Sequence, residues 1–197
     1  MRALGSEYLR SCFFKITVKL FFDIYILTLI LRYLLTIVRV DSLNPLSALI
    51  IKVTNPILKP LRRTIPGYFG IDWASIISLF LVQAIEIILV ALIITGGIPA
   101  FSGLTMLTIA YLLRTILYIY LFIIIIQVII SWINPNVYNP ITTIMYQISE
   151  PILKPIRQFI PSSGGLDFSP LVALIIINLL MILIISPLMD LGQKLSL

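Results

Sequence analysis

The stretch PILKPLRRTIPGYFGID, residues 56–72, recurs 95 positions later as PILKPIRQFIPSSGGLD, residues 151–167. The two stretches align without a gap and are identical at 10 of 17 positions, so the match is far from chance. The chain is therefore an internal duplication, because self-similarity at a fixed offset indicates a repeated structural unit. The predicted division is a first repeat at 1–95, a turn at 96–103 and a second repeat at 104–197.

Long apolar runs flank each copy of this stretch. The chain is 60% hydrophobic and only 11% charged, whereas soluble domains are about half apolar and a quarter charged. The runs approach or exceed the roughly 20 apolar residues that cross a bilayer. The predicted spans cover about 20–40, 73–95, 104–133 and 170–187. The sequence thus predicts an all-α membrane protein with four transmembrane helices, arranged as two parallel helix-hairpin-helix repeats.

The order of the spans predicts how the repeats are oriented. Each repeat crosses the membrane an even number of times, so both copies run in the same direction and are related by an axis along the membrane normal. Both termini are then expected on one side of the membrane and both hairpins on the other. Gly96-Gly97-Ile98-Pro99 is a turn signal, which predicts that the second and third spans form a tight antiparallel pair.

The two hairpins, 44–66 and 139–161, carry the same helix signals. Asn44 and Asn139 are suited to cap a helix, and the proline after each occupies the first helical position, where its missing N–H costs nothing. We expect the next proline, Pro56 or Pro151, to end a short amphipathic helix, followed by a second short element. Both pieces are too short to span, so they should lie in the interface or re-enter the membrane shallowly. The residues expected to shape the hairpins and the starts of the following spans are Asn44, Pro45, Pro56, Pro60, Pro66, Asp72, Asn139, Pro140, Pro151, Pro155, Pro161, Gly164, Gly165 and Asp167.

Basic residues follow the first internal proline of each hairpin. Near an anionic leaflet, each such cation contributes about 1 kcal/mol of attraction. Two interpretations follow: anchors that snorkel towards any anionic lipid, or a specific site for one lipid or protein. We predict lipid or partner binding by Lys59, Arg62, Arg63, Lys154 and Arg157.

Asp72 and Asp167 immediately precede the second span of each repeat. A carboxylate there can accept hydrogen bonds from free N–H groups and complement the helix dipole. The alternative interpretation makes each aspartate the acidic member of an ion or proton site near Arg62 or Arg157.

Charged residues also lie inside the predicted spans, at Arg32, Glu86 and Arg114. An intramembrane charge costs at least about 2.5 to 3.5 kcal/mol on insertion scales, and it usually serves a function or pairs with another charge. Glu86 and Arg114 are equally distant from the turn near residue 100, which predicts an ion pair between them. In two alternatives, Arg114 snorkels while Glu86 is protonated, or Arg32 reaches Glu86.

Several kinds of chemistry are disfavoured by composition. Histidine is absent and Cys12 is the single cysteine, so the chain lacks the usual general base, the usual haem ligand and any intramolecular disulfide. We expect no cofactor, no metal and no enzymatic activity. The net charge of +6 arises from residues near the ends of the apolar runs, which favours anionic headgroups over nucleic acid as the partner.

The stretch SEPILKPIRQFIPSSGGLDFSP, residues 149–170, with its shorter match in the first repeat, resembles the YggT family of membrane proteins. The resemblance covers nearly the whole chain and implies the two-repeat arrangement of proteobacterial members. It also implies links to cell division, nucleoid organisation, osmotic or potassium homeostasis, or the assembly of membrane complexes.

These observations lead to two hypotheses of function. The first is a non-catalytic scaffold or assembly factor of the bacterial inner membrane, whose basic hairpins bind anionic lipid or a membrane-protein partner. The second is an ion-permeation or osmotic-response component linked to potassium, which would need an oligomer because four helices leave little room for a pore. The expected partners are membrane lipids, a membrane protein and a second copy of the chain, with no nucleic acid.

Overall fold

The computed structural model describes residues 2–38, 44–65, 67, 70–133, 139–159 and 167–196. The described segments are almost entirely helical. The elements in chain order are α1 (Arg2–Val38), α2 (Pro45–Thr64), α3 (Trp73–Thr95), α4 (Phe101–Ile133), α5 (Pro140–Phe159), α6 (Ser169–Leu180), a π-helical turn (Met181–Ile185) and α7 (Ser186–Ser196).

Four helical segments are long and apolar enough to cross a membrane. They are Cys12–Val38, Trp73–Thr95, Phe101–Ser131 and Ser169–Ser196. The last of these joins α6, the π turn and α7 into one continuous rod. The predicted fold class, an all-α multi-pass membrane protein built from two helix-hairpin-helix repeats, is confirmed.

A tight turn connects the second and third spans. Gly96 ends α3 in the left-handed conformation, with φ of 70°, and its N–H donates to the carbonyl of Leu92. Glycine suits this position because it has no Cβ to oppose a positive φ. The N–H of Ala100 donates to the carbonyl of Ser196 at 3.4 Å, so the C-terminal helix packs beside this turn.

Each hairpin contains one continuous helix, not two short ones. The prediction that Pro56 and Pro151 end a helix is wrong, because α2 and α5 continue through both of their internal prolines. The prolines are on the exposed side of each helix, where their rings can bend the helix without breaking its buried face. In α2 that buried face is formed by Ser47, Ile50, Thr54 and Leu58. Packing against the spans therefore overrides the local preference of proline.

The last span is also longer than predicted. The sequence predicted a span of about 170–187, but the helix continues through Pro187 to Ser196. The π-helical turn at Met181–Ile185 ends two residues before this proline. A π turn is wider than an α turn, so it accommodates the proline ring against the preceding turn of helix.

One apolar core joins the two repeats. Its buried side chains come from α1, α2, α3, α4 and α5, and Ile26, Ile30, Leu58, Ile123 and Ile148 are representative members. The hairpins also touch directly, because the side-chain amide of Asn44 donates to the carbonyl of Pro140 at 2.9 Å. The repeats therefore pack as a single body.

Glycines allow α4 and α7 to approach closely. A Cβ atom at Gly103 would overlap the backbone of Ser196, and one at Gly192 would lie 2.9 Å from the Leu107 side chain. Small residues commonly permit this contact between membrane helices, where association depends on close packing.

We predict that Gly103→Ala destabilises the protein by about 1 to 3 kcal/mol, because the added methyl meets backbone that cannot rotate away. Gly97→Ala is the matched control, since a Cβ there lies 3.9 Å from the Thr95 hydroxyl. Unfolding in mixed micelles, followed by circular dichroism, measures both effects. Equal stability of the two variants would contradict the predicted contact.

Candidate lipid and partner interface

The first span is attached to α2 by the buried side chain of Arg32. Its guanidinium donates to the carbonyl of Ile51 at 3.1 Å, to the hydroxyl of Thr54 at 2.5 Å and to the side-chain carbonyl of Asn55 at 2.9 Å. All three acceptors are neutral and belong to the turn of α2 that precedes Pro56. Arg32 is thus bound to α2 and not paired with Glu86.

The second repeat makes the same contact with a neutral side chain. Gln127 lies 95 positions after Arg32, and Ser149 lies 95 positions after Thr54. The Gln127 amide donates to the Ser149 hydroxyl at 2.8 Å, and this hydroxyl lies 3.1 Å from the Gln127 carbonyl oxygen. Both repeats therefore anchor the hairpin helix through a polar residue of the preceding span. Sequence reasoning missed this correspondence because it compared charge and not hydrogen-bonding capacity.

The other end of each hairpin helix is anchored to the following span. Arg62 forms an ion pair with Asp72. At the equivalent position, Arg157 binds Asp167 at 2.9 Å and also Glu150 at 3.0 Å. Arg62 and Arg157, which were predicted to bind lipid or a partner, are therefore engaged within the protein.

The two aspartates also cap the second spans. Asp72 accepts from the Ser75 N–H at 3.3 Å and from its hydroxyl at 2.6 Å, and Asp167 accepts from the Ser169 N–H at 2.9 Å. Burial would raise the pKa of Asp72, but the bonds from Ser75 and Arg62 outweigh it and hold this pKa below its ordinary value. The pKa of Asp167 is lowered in the same way, by Ser169 and Arg157 against partial burial.

The outward side of α2 is strongly basic. A cavity of about 390 Å³ opens there, and it is lined by Lys52, Asn55, Pro56, Lys59, Pro60 and Arg63. Three of these side chains are cationic and none is acidic. Lys59 and Arg63 were predicted from sequence, whereas Lys52 was not, because it lies before Pro56 and outside the recurring stretch. We name the outward side formed by Leu49, Val53 and these six residues the basic face.

The equivalent surface of α5 has a different character. Its cavity, of about 500 Å³, is lined by Val38, Tyr146, Gln147, Glu150, Pro151 and Lys154. Lys52 of the first repeat corresponds to Gln147 here, and Asn55 corresponds to Glu150. One acid and one base replace three bases, so the two hairpins present different electrostatic surfaces.

The predicted ion pair between Glu86 and Arg114 is wrong. The Glu86 carboxylate accepts from the Gln83 amide at 2.8 Å. Arg114 lies over the ring of Tyr118 and donates to its hydroxyl at 3.3 Å. The two residues are equally distant along the chain from the turn, but the rotations of α3 and α4 direct them to other partners.

Some predicted residues lie outside the described part of the chain, namely Pro66, Pro161, Gly164 and Gly165. Across the described residues, no group of three or more His, Cys, Asp or Glu side chains could hold a metal ion. The chemistry available at the two hairpins is therefore electrostatic and hydrogen-bonding.

The CCB3/YggT family model matches residues 13–93 and again residues 106–188, once for each repeat. The chain belongs to the CCB3/YggT family. The two matched ranges contain both hairpins and most of each span, so each repeat by itself resembles the family.

Relatives in this family resemble the chain over most of its length. A protein of Pseudomonas aeruginosa, described as uncharacterized, is 40% identical over 165 residues, which is 83% of this chain and 84% of the relative. The protein of Escherichia coli K12 described as "Uncharacterized protein YggT" is 33% identical over 156 residues, or 79% of this chain and 80% of the relative. A Haemophilus influenzae relative is 36% identical over 151 residues, or 77% and 80%. No solved structure matches the chain.

We predict that Arg32→Leu costs about 1 to 3 kcal/mol, because the acceptors of α2 lose their buried donor. Arg32→Gln should cost less, since glutamine makes the equivalent contact in the second repeat. Thermal unfolding of both purified variants in detergent provides the comparison. If glutamine were no better than leucine, the anchoring contact would not depend on hydrogen bonding.

The Asp72 carboxylate should stabilise the fold in a pH-dependent way. Its folded pKa is depressed, so its contribution is complete above the unfolded pKa of about 3.9 and disappears as the pH falls through the folded value. Because Arg62 is 40% exposed, we expect Asp72→Asn to cost at most about 1 kcal/mol at pH 7. Asparagine retains the ability to cap, so the variant isolates the charge.

Unfolding of the wild type and Asp72→Asn between pH 3 and pH 7 tests this expectation. The gap in stability should close in acid, and it should also shrink in an Arg62→Gln background, where the ion pair is already absent. A gap that stays constant over this pH range would exclude a role for the Asp72 charge.

Proposed function

We propose that this protein is a non-catalytic scaffold of the bacterial inner membrane. The basic face of α2 would bind anionic phospholipid, and the hairpins together would hold a membrane-protein partner. The observation that carries the proposal is the charge of that face: Lys52, Lys59 and Arg63 border one cavity that contains no acidic side chain.

The exposed apolar side chains of α2 support a position at the membrane interface. Leu49 is 62% exposed and Val53 is 44% exposed, and both lie on the same side of the helix as the lysines. A helix with apolar and basic side chains on one face can insert its apolar groups among acyl chains while its cations meet headgroups. The bond from Arg32 to the buried Thr54 holds the opposite side of α2 against the protein, so the lysines, Leu49 and Val53 are left to face lipid.

The second hairpin supports the partner-binding part of the proposal. The cavity at α5 has one acid, Glu150, and one base, Lys154, beside Tyr146 and Val38. A surface of mixed charge with an exposed aromatic residue is better suited to a protein than to an anionic leaflet. Either a different membrane protein or a second copy of the chain would satisfy this chemistry.

The proposed location in the inner membrane and the proposed lack of enzymatic activity rest on general arguments. Apolar helical spans are typical of the inner membrane, whereas the bacterial outer membrane is crossed by β-barrels, and the relatives come from Pseudomonas, Escherichia and Haemophilus. The lack of histidine leaves no conventional nucleophile and base pair. Links to cell division or to membrane-complex assembly come from the family resemblance and are part of the proposal.

An oligomeric ion-permeation component is the alternative function. Within one chain, however, the interior between the spans contains buried apolar residues such as Ile30, Leu79 and Ile123. A path for ions would therefore have to form between copies. Flux measured in liposomes under a potassium gradient tests this alternative directly.

We predict that Lys52→Gln, Lys59→Gln and Arg63→Gln together reduce binding of phosphatidylglycerol by on the order of 100-fold. The estimate assigns about 1 kcal/mol to each cation near an anionic surface. Native mass spectrometry of the full chain, titrated with phosphatidylglycerol in detergent, measures the retained lipid. Lys194→Gln is the control, because this exposed lysine lies at the end of α7 on the other side of the membrane.

Loss of phosphatidylglycerol in the triple variant, with full retention in the control, supports the proposal. Unchanged lipid binding by the triple variant would overturn it. For the partner, a photo-crosslinking residue in place of Tyr146, which is 41% exposed, should capture a membrane protein or a second copy in native membranes. The same residue at Ile175, an exposed position of α6, serves as the lipid-facing control.

A further inference from the structure

A second polar region lies between α1, α3 and α4, on the side of the membrane opposite the hairpins. It is a cavity of about 670 Å³, a size typical of sites for small ligands, and we name it the vestibule. Its outer rim includes Pro99 and Ser196 beside the turn between α3 and α4. Along α3 its lining extends from Ile94 to Gln83, a rise of about 16 Å. The vestibule therefore reaches from the headgroup layer to about the middle of the bilayer.

The walls of the vestibule carry charges of both signs. The basic side chains are Lys15, Lys19 and Arg114, and the acidic ones are Asp23 and Glu86. The salt bridges among the described residues involve none of these five side chains. Glu86 and Arg114 are the innermost of the five, and unpaired charges at such depth are costly and usually mark a site for a ligand or an ion.

The two innermost charges retain capacity for a ligand. Glu86 is only 5% exposed, and its carboxylate accepts one hydrogen bond, from Gln83. Arg114 donates a single side-chain bond, to Tyr118, and a guanidinium has five N–H groups. An acceptor and a donor group of opposite charge thus border the same cavity and do not neutralise each other.

The charges that line the vestibule indicate which class of ligand it can bind. A bare cation entering the vestibule would meet three positive side chains, and a simple anion would meet two carboxylates. A ligand that carries both a phosphate and an ammonium group satisfies both sets, since guanidinium and lysine bind phosphate and carboxylates accept from an ammonium.

We propose that the vestibule binds the phosphoethanolamine headgroup of a phospholipid. The phosphate lies at Arg114 and Lys19, and the ammonium group lies at Glu86 and Asp23. A lipid is the source because the cavity opens at its rim beside Pro99 and Ser196, and because exposed apolar side chains border it: Ile24 and Ile94 are both more than half exposed.

The duplication produces one such site and not two. The positions equivalent to Asp23 and Glu86 in the second repeat are Tyr118 and Met181, so the carboxylates that recognise ammonium occur once. One tightly retained lipid per chain is therefore expected. This site does not depend on the basic face, which lies on the other side of the membrane and prefers lipids of net negative charge.

Native mass spectrometry of the full chain tests the proposal with added phosphatidylethanolamine, phosphatidylcholine or phosphatidylglycerol. The wild type should retain one phosphatidylethanolamine in preference to phosphatidylcholine, which has no N–H to donate. Glu86→Gln and Arg114→Gln should each weaken this binding by about tenfold or more, as expected for a lost charge-assisted hydrogen bond. Lys194→Gln, a change at an exposed position that does not line the vestibule, should leave it unchanged.

Circular dichroism shows whether each variant is folded, and Lys19→Gln at the exposed part of the wall provides a second test with a smaller expected loss. Water-soluble phosphoethanolamine, added in excess, should displace the lipid, whereas inorganic phosphate should not. Equal retention of phosphatidylethanolamine and phosphatidylcholine, or a preference that survives both Glu86→Gln and Arg114→Gln, would overturn the proposal. Binding of free phosphoethanolamine without any retained lipid would overturn the assignment to a phospholipid.

Discussion

Polar contacts hold each interfacial helix between the two spans of its own repeat. A buried side chain from the preceding span, Arg32 or Gln127, binds the middle of the helix, and an arginine near its end binds the aspartate that caps the following span. Because the helix is held at two places, its rotation about its own axis is fixed. The basic face of α2 and the mixed surface of α5 point outward as a consequence of these internal contacts.

Much of the architecture was readable from sequence because membrane insertion and helix capping impose local rules. Long apolar runs predicted the spans, and the Asn-Pro pairs marked where each hairpin helix starts. The effect of Pro56 could not be read in this way. Proline disfavours a helix locally, but packing of Ile50, Thr54 and Leu58 against the rest of the protein keeps α2 continuous, and such packing depends on residues far away in sequence.

At the candidate sites, too, the sequence predicted what depends on neighbouring residues and missed what depends on residues far away in sequence. Counting residues from the turn placed Glu86 and Arg114 at equal depth, but depth does not determine which way a helix is rotated, so the expected ion pair is replaced by contacts with Gln83 and Tyr118. Basic residues after the first internal proline were recognisable as a group. Sequence alone could not separate Arg62, which is used inside the protein, from Lys59, which faces outward, because that distinction depends on where Asp72 lies.

The π-helical turn at Met181–Ile185 has a consequence for the symmetry of the molecule. A π turn is the geometry produced when a single residue is inserted into an α-helix, and α3, the counterpart of this span, is α-helical throughout. One extra residue advances every later side chain by about 100° around the axis. The last span therefore changes phase at this turn. It also continues to Ser196, past the position equivalent to Thr95 at the end of α3, and Gly192 in this further part lies against Leu107 of α4.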